Sequence, residues 1–183
     1  MFWIAFLLES LTIVTSTLDT TPLLKHSTIV HSKPDLTTRI THPTPLFLIS
    51  AVLVMVGGII RVYCFRALGA SFTFELSVQK DHKLITSGLY SVVRHPSYTG
   101  AVISLGFAAV QHLSRGSWVR ESGILDTMWG RVVIFGWFGG IAVMVATLML
   151  RIKSEEEILH KEFGDKWQKW REDVPYKLFP GIY

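Results

Sequence analysis

Residues 131–151 read RVVIFGWFGGIAVMVATLMLR, nineteen uncharged residues closed at each end by an arginine. A run of this length matches the roughly 30 Å hydrocarbon core of a bilayer, and arginines at its ends reach back to the interface. The fold class follows: an all-α, polytopic integral membrane protein. The rest of the chain agrees, with 17% charged residues and a mean hydropathy of +0.38. Soluble domains carry about 25% charge. Its 183 residues suit one domain.

Working outward, three more apolar segments stand out. Met1 to about Leu18 carries Glu9 and reads as a signal anchor, a tilted helix or a signal peptide. The opening Met1-Phe2-Trp3 has no basic residue, which favours retention over cleavage. Asp19 to Pro45 is a polar loop rich in threonine and proline. Leu46 to Phe65 and Ser97 to about Leu113 are the other two segments, which predicts about four transmembrane helices. Gly136, Gly139 and Gly140 in the clearest run predict close packing of that helix against others. The division expected is residues 1–45 as an N-terminal hydrophobic segment and loop, and 46–183 as the core.

Charge sets the topology. The loop Arg66 to Pro96 holds Arg66, Lys80, Lys83 and Arg94, and the tail Arg151 to Tyr183 holds seven Lys/Arg. The opposing loop, Ser114 to Gly130, holds only Arg115 and Arg120. The positive-inside rule places loop and tail together in the cytosol. Two polar stretches distant in sequence then share one membrane face. The net charge of +4 lies beside apolar runs, which fits a lipid surface as partner and not nucleic acid. Cys64 is the one cysteine, so no disulfide framework or zinc cluster can form and no metal site is expected.

The tail SEEEILHKEFGDKWQKW, residues 154–170, places Ile158, Leu159, Phe163, Trp167 and Trp170 three or four apart. That spacing predicts a cytosolic amphipathic helix starting at Ser154, with the glutamates at the positive end of its dipole. Such a helix could also lie on the lipid surface.

The loop carries more chemistry. Pro96 in Arg94-His95-Pro96-Ser97-Tyr98 disfavours helix before it and suits the first helical position, so a helix is predicted to start there. The free amides at that start suit an anionic group. Tyr90 and Tyr98 could hold a base or a sulfonium between aromatic faces, and Gly88 and Gly100 would admit a ligand close to backbone. Taken singly, His95 reads as a cap and Arg94 as an interfacial anchor. Arg151 and Glu155, at i and i+4, read either as a helix-stabilising pair or as a fixed guanidinium that orients a carboxylate.

Two patterns go further. His82 to Gly100 reads H-x-L-I-T-x-G-L-Y-x-x-x-R-H-P-S-Y-x-G, and Glu155 to Trp170 reads E-E-x-x-L-x-x-x-F-G-x-x-W-x-x-W. Both resemble the isoprenylcysteine carboxyl methyltransferase family, in its order, over about residues 80–183. The resemblance implies a membrane-embedded, all-helical enzyme of the endoplasmic reticulum whose active site faces the cytosol. It implies S-adenosylmethionine as cofactor, with methyl transfer to the C-terminal carboxylate of a prenylated cysteine. The substrates would be prenylated CaaX-type proteins or prenylcysteine small molecules. By position, His82, Leu84, Ile85, Gly88, Tyr90, His95, Pro96, Tyr98, Glu155 and Glu156 would line the cofactor site. Arg151, held by Glu155, would stand nearest the substrate carboxylate, with Arg94 as second candidate. Trp167 and Trp170 stand where the family has tyrosines. Sterol reductases that use NADPH resemble the R-H-x-x-Y core, and phospholipid N-methyltransferases would share the cofactor. A membrane scaffold without activity is the remaining alternative.

Overall fold

The computed structural model describes residues 44–69 and 84–182. The segment Met1 to Leu18 and the loop residues His82 and Lys83 lie outside the described residues.

Every regular element described is helical. Helix α1 spans Pro45–Leu68, α2 Pro96–Leu113, α3 the single turn Trp118–Glu121, α4 Met128–Phe163 and α5 Asp165–Asp173. Helices α1 and α4 are the two described helices long and apolar enough to cross a membrane. Their surfaces argue the same way. Met55 and Ile59 on α1 are each 65% exposed, and Phe135 and Val143 on α4 are each 67% exposed. Apolar faces of that extent are stable against lipid and unstable against water. Helix α2 begins at Pro96, where the proline reading set it. The apolar segment Ser97–Leu113 is thus a helix, shorter than the two candidate spans.

The described residues fall into two compact units. One comprises residues up to 52 together with 106–140. In it Thr44 donates to the Arg115 carbonyl (3.0 Å), and Ser117 caps α3 by accepting from the Arg120 backbone N–H. The other unit comprises residues 53–105 and 141 onward, and it holds both sequence motifs.

Within that second unit α1 and α2 touch backbone to backbone. A Cβ placed on Gly57 would lie 2.5 Å from the Gly100 carbonyl oxygen, and one on Gly100 would lie 2.6 Å from the Gly57 oxygen. Ser104 Oγ donates to the Val54 carbonyl beside them (3.1 Å). Gly100 therefore serves helix packing, not access for a ligand. Helix α4 does meet a neighbour, since the Trp137 ring lies 5.1 Å from that of His112 on α2. Among the described residues, however, nothing lies within 4 Å of a Cβ at Gly136, Gly139 or Gly140, so the small-residue crossing described is that of α1 and α2. Gly57→Val is expected to cost about 1–3 kcal/mol by forcing that crossing apart. Gly58→Val, where a Cβ meets nothing within 4 Å, should cost far less. Thermal unfolding of the two variants in detergent decides between them, and equal losses would remove the crossing from the account.

A second correction concerns the tail. No helix starts at Ser154, because α4 runs unbroken through it to Phe163. The break comes at Gly164, whose φ of 49° lies in the left-handed region that glycine tolerates. Helix α5 then turns its aromatic face inward. Trp167, Trp170 and Val174 form one buried cluster with Cys64 and Tyr90, on which Leu84, Ile85, Leu89 and Leu159 pack. The stripe read as a possible lipid face is protein core.

Candidate active site

Helix α4 leaves its apolar run at Leu150, and its next turns carry Arg151, Glu155 and Glu156 in one arc. Opposite them stands the start of α2, where Arg94, His95, Pro96 and Tyr98 follow a 3-10 turn at Gly88–Ser91. Residues some sixty positions apart thus meet.

Two carboxylates organise the meeting. Glu155 Oε1 accepts from the Tyr98 hydroxyl (2.5 Å) and from Arg151 Nε (2.8 Å), while its Oε2 lies 3.5 Å from His95 Nδ1. Glu156 Oε1 accepts from Arg94 Nε (2.8 Å) and lies 2.8 Å from Arg94 Nη2, so two nitrogens of one guanidinium share one carboxylate oxygen. His95 Nε2 stands 3.5 Å from the same oxygen, and Lys177 Nζ stands 3.6 Å from Glu156 Oε2. The His95 ring lies parallel to that of Tyr98, with centroids 5.7 Å apart.

Burial penalises the charged form of His95, yet the carboxylates of Glu155 and Glu156 outweigh it and hold its pKa above the ordinary 6.5. A group raised in this way contributes stability that is fully present below its unfolded value and lost as pH rises through the folded one. The fold is therefore expected to lose part of its thermal stability as pH rises above the ordinary histidine value of 6.5, and His95→Gln to flatten that loss. An unchanged slope in the variant would sink the assignment to His95.

The expected site residues divide into two sets. His95, Tyr98, Arg151, Glu155 and Glu156 form the polar cluster itself. Tyr90 is 7% exposed, with its hydroxyl meeting the Cys64 thiol and its carbonyl accepting from Trp170 Nε1 (3.1 Å). It belongs to the core, so the parallel ring partner of Tyr98 is His95 and not Tyr90. Leu84 and Ile85 pack on that core. Pro96 is fully buried. Gly88 has φ of 63°, and a Cβ there would lie 2.7 Å from the Tyr63 hydroxyl, so backbone and packing both require glycine. His82 lies outside the described residues.

Arg94 changes role. It is 4% exposed, and besides Glu156 its Nη1 donates to the carbonyls of Val174 (2.7 Å) and Pro175 (2.8 Å). Its donors are committed to the protein, which removes it as the second candidate for a substrate carboxylate. Arg151, with a side chain 31% exposed, remains accessible. Sequence reading missed the segment Val174–Leu178 altogether. The signal present was Pro175, which follows α5 at once and prevents its continuation.

Comparison with known proteins follows the same lines. Residues 49–118 match the family model described as the isoprenylcysteine carboxyl methyltransferase (ICMT) family. That match starts within α1, further toward the N-terminus than the motifs, and ends before the tail motif. A protein-S-isoprenylcysteine O-methyltransferase of Dictyostelium discoideum is 26% identical over 140 residues, 75% of this chain and 51% of that protein. Protein-S-isoprenylcysteine O-methyltransferase B of Arabidopsis thaliana is 28% identical over 125 residues, 67% of this chain and 54% of its own length. A Delta(14)-sterol reductase of Neurospora crassa is 30% identical over 124 residues, covering 59% of this chain and 25% of the reductase. The chain thus spans about half the length of the methyltransferases it matches and a quarter of the reductase. The resemblance carried by the two motifs is to the methyltransferase family, whose two members above also align with more of this chain than the reductase does.

Proposed function

We propose that this chain is an S-adenosylmethionine-dependent methyltransferase that esterifies the C-terminal carboxylate of a prenylated cysteine. The observation that carries the reading is the cluster in which Arg151, Glu155 and Glu156 from α4 meet His95 and Tyr98 from α2. Both motifs of the resemblance supply it.

The residues fit the cofactor. His95 Nε2 is buried and makes no hydrogen bond within normal range. The Glu155 side chain is 23% exposed, which leaves a carboxylate for an ammonium or sulfonium centre, and the Tyr98 ring is of the kind that attracts such cations. Bound S-adenosylmethionine would supply an activated methyl group. The protein's part is then mainly placement. A C-terminal carboxylate is already ionised at neutral pH, so no general base is needed. The Arg151 guanidinium, fixed through Nε by Glu155 and also meeting the Tyr98 hydroxyl, would present its exposed edge to that carboxylate and aim one oxygen. The site lies just past the end of the apolar run of α4, so a prenyl chain entering from lipid leaves its polar end beside Arg151. The Lys/Arg imbalance supports a cytosol-facing site, and the family resemblance an endoplasmic reticulum location. Four membrane crossings and a core from residue 46 onward complete the proposed architecture, with prenylated CaaX-type proteins or prenylcysteines as substrates.

The test uses purified membranes, labelled S-adenosylmethionine and N-acetyl-farnesylcysteine. A base-labile methyl ester on the prenylcysteine is the expected product. Label in phospholipid amines instead, or NADPH oxidation with a sterol and no ester, would overturn the reading.

A further inference from the structure

The segment after α5 is held in an unusual way. Five consecutive carbonyls, from Val174 to Leu178, are each received by residues 94–99. Arg94 Nη1 takes those of Val174 and Pro175, the Arg94 backbone N–H that of Tyr176 (3.0 Å), the His95 N–H that of Lys177 (2.8 Å), and Thr99 Oγ1 that of Leu178 (2.7 Å). Val174 and Leu178 are also buried, at 5% and 3% exposure. A segment held at five consecutive carbonyls has its side chains fixed in register against residues 94–99.

One of those side chains is Lys177. Its ammonium lies 3.6 Å from Glu156 Oε2, the oxygen that Arg94 does not hold. The two oxygens of Glu156 thus face different cations, one from the turn just before α2 and one from the strap. We propose that Lys177 is a positioning residue, which the strap Val174–Leu178 places so that it fixes the Glu156 carboxylate and moderates its hold on the His95 ring. The inference rests on the site assigned under the proposed function, but it can be tested without the reaction.

Among the described residues, the charged and titratable groups facing His95 come from two helices and the strap. Glu155 and Glu156 face it from α4, and Tyr98 stacks on it from α2. Arg94 and Lys177 reach it through Glu156, and Arg151 through Glu155. Removing the Lys177 charge leaves Glu156 less neutralised, and a less neutralised carboxylate favours the imidazolium more strongly. The sign is therefore set: the His95 midpoint rises.

The experiment follows the His95 ring by NMR across pH in full-length, histidine-labelled protein, with His95→Gln used to assign the signal. Lys177→Met is expected to raise the midpoint by about half a pH unit, and Lys177→Arg to restore it. The Lys177 side chain is 29% exposed, so both variants should fold, and the melting temperature should barely move. An unchanged midpoint in Lys177→Met overturns the proposal, as does an equal shift in Lys177→Arg. Failure to form the methyl ester would instead overturn the methyltransferase reading and leave this measurement able to decide.

Discussion

Arg151→Lys is expected to lower turnover of a prenylcysteine substrate by roughly tenfold to a thousandfold while cofactor affinity barely moves. The variant keeps the charge and removes the planar fork. In the structure Nε of Arg151 is taken by Glu155 Oε1, which the Tyr98 hydroxyl also meets, so the terminal nitrogens are held at a set angle. Lysine offers one ammonium, which can pair with Glu155 or reach outward but not do both with fixed geometry. A role limited to the i,i+4 pair would make the exchange nearly silent, since partly exposed pairs contribute under about 1 kcal/mol. The check is kinetics with prenylcysteine varied, beside S-adenosylhomocysteine titration on the same preparation. Wild-type turnover in the variant would take Arg151 out of the active site.

The second large effect is on stability. Arg94→Met should cost about 3–5 kcal/mol, because it strands a largely buried carboxylate and releases the tail at once. The side chains of Arg94 and Glu156 are 3% and 14% exposed, so water cannot take over the lost pairing. The carbonyls of Val174 and Pro175 lose their donor in the same step. Limited proteolysis should then cut near residue 174 well before the membrane core unfolds. Arg94→Lys should recover little, since one ammonium cannot serve Glu156 and both carbonyls. A variant within about 1 kcal/mol of wild type would show that the clasp is not what holds the strap.

Much of this arrangement was legible in the sequence, for physical reasons that differ by element. The apolar run 132–150 was legible because bilayer thickness acts on composition alone. Pro96 marked the start of α2 because its ring constrains backbone without help from neighbours. The aromatic spacing of Trp167 and Trp170 marked an apolar face but could not say what covers it. Lipid and a protein core ask for the same residues, and the answer depends on Cys64 and Tyr90 lying opposite. Arg94 was misread for a related reason. An arginine beside a histidine looks the same whether its partners are a ligand or the carbonyls of residues eighty positions away. The strap was invisible because it is recognised through backbone oxygens, which every residue has.

The unbroken course of α4 has a geometric corollary. A helix of 36 residues is about 54 Å long, and the part bearing Arg151, Glu155 and Glu156 continues the lipid-crossing part without a joint. Each residue advances the helix by about 100° of azimuth, so the direction in which the carboxylates point is dictated by how the span is rotated about its own axis. Inserting one alanine between Leu150 and Arg151 would swing all three side chains away from His95 and Tyr98, although no residue of the cluster had changed. Inserting a full turn would come close to restoring their heading and displace them by about 5.4 Å along the axis. The rotation of the apolar run about its own axis thus sets the heading of the cluster that the same helix carries beyond it.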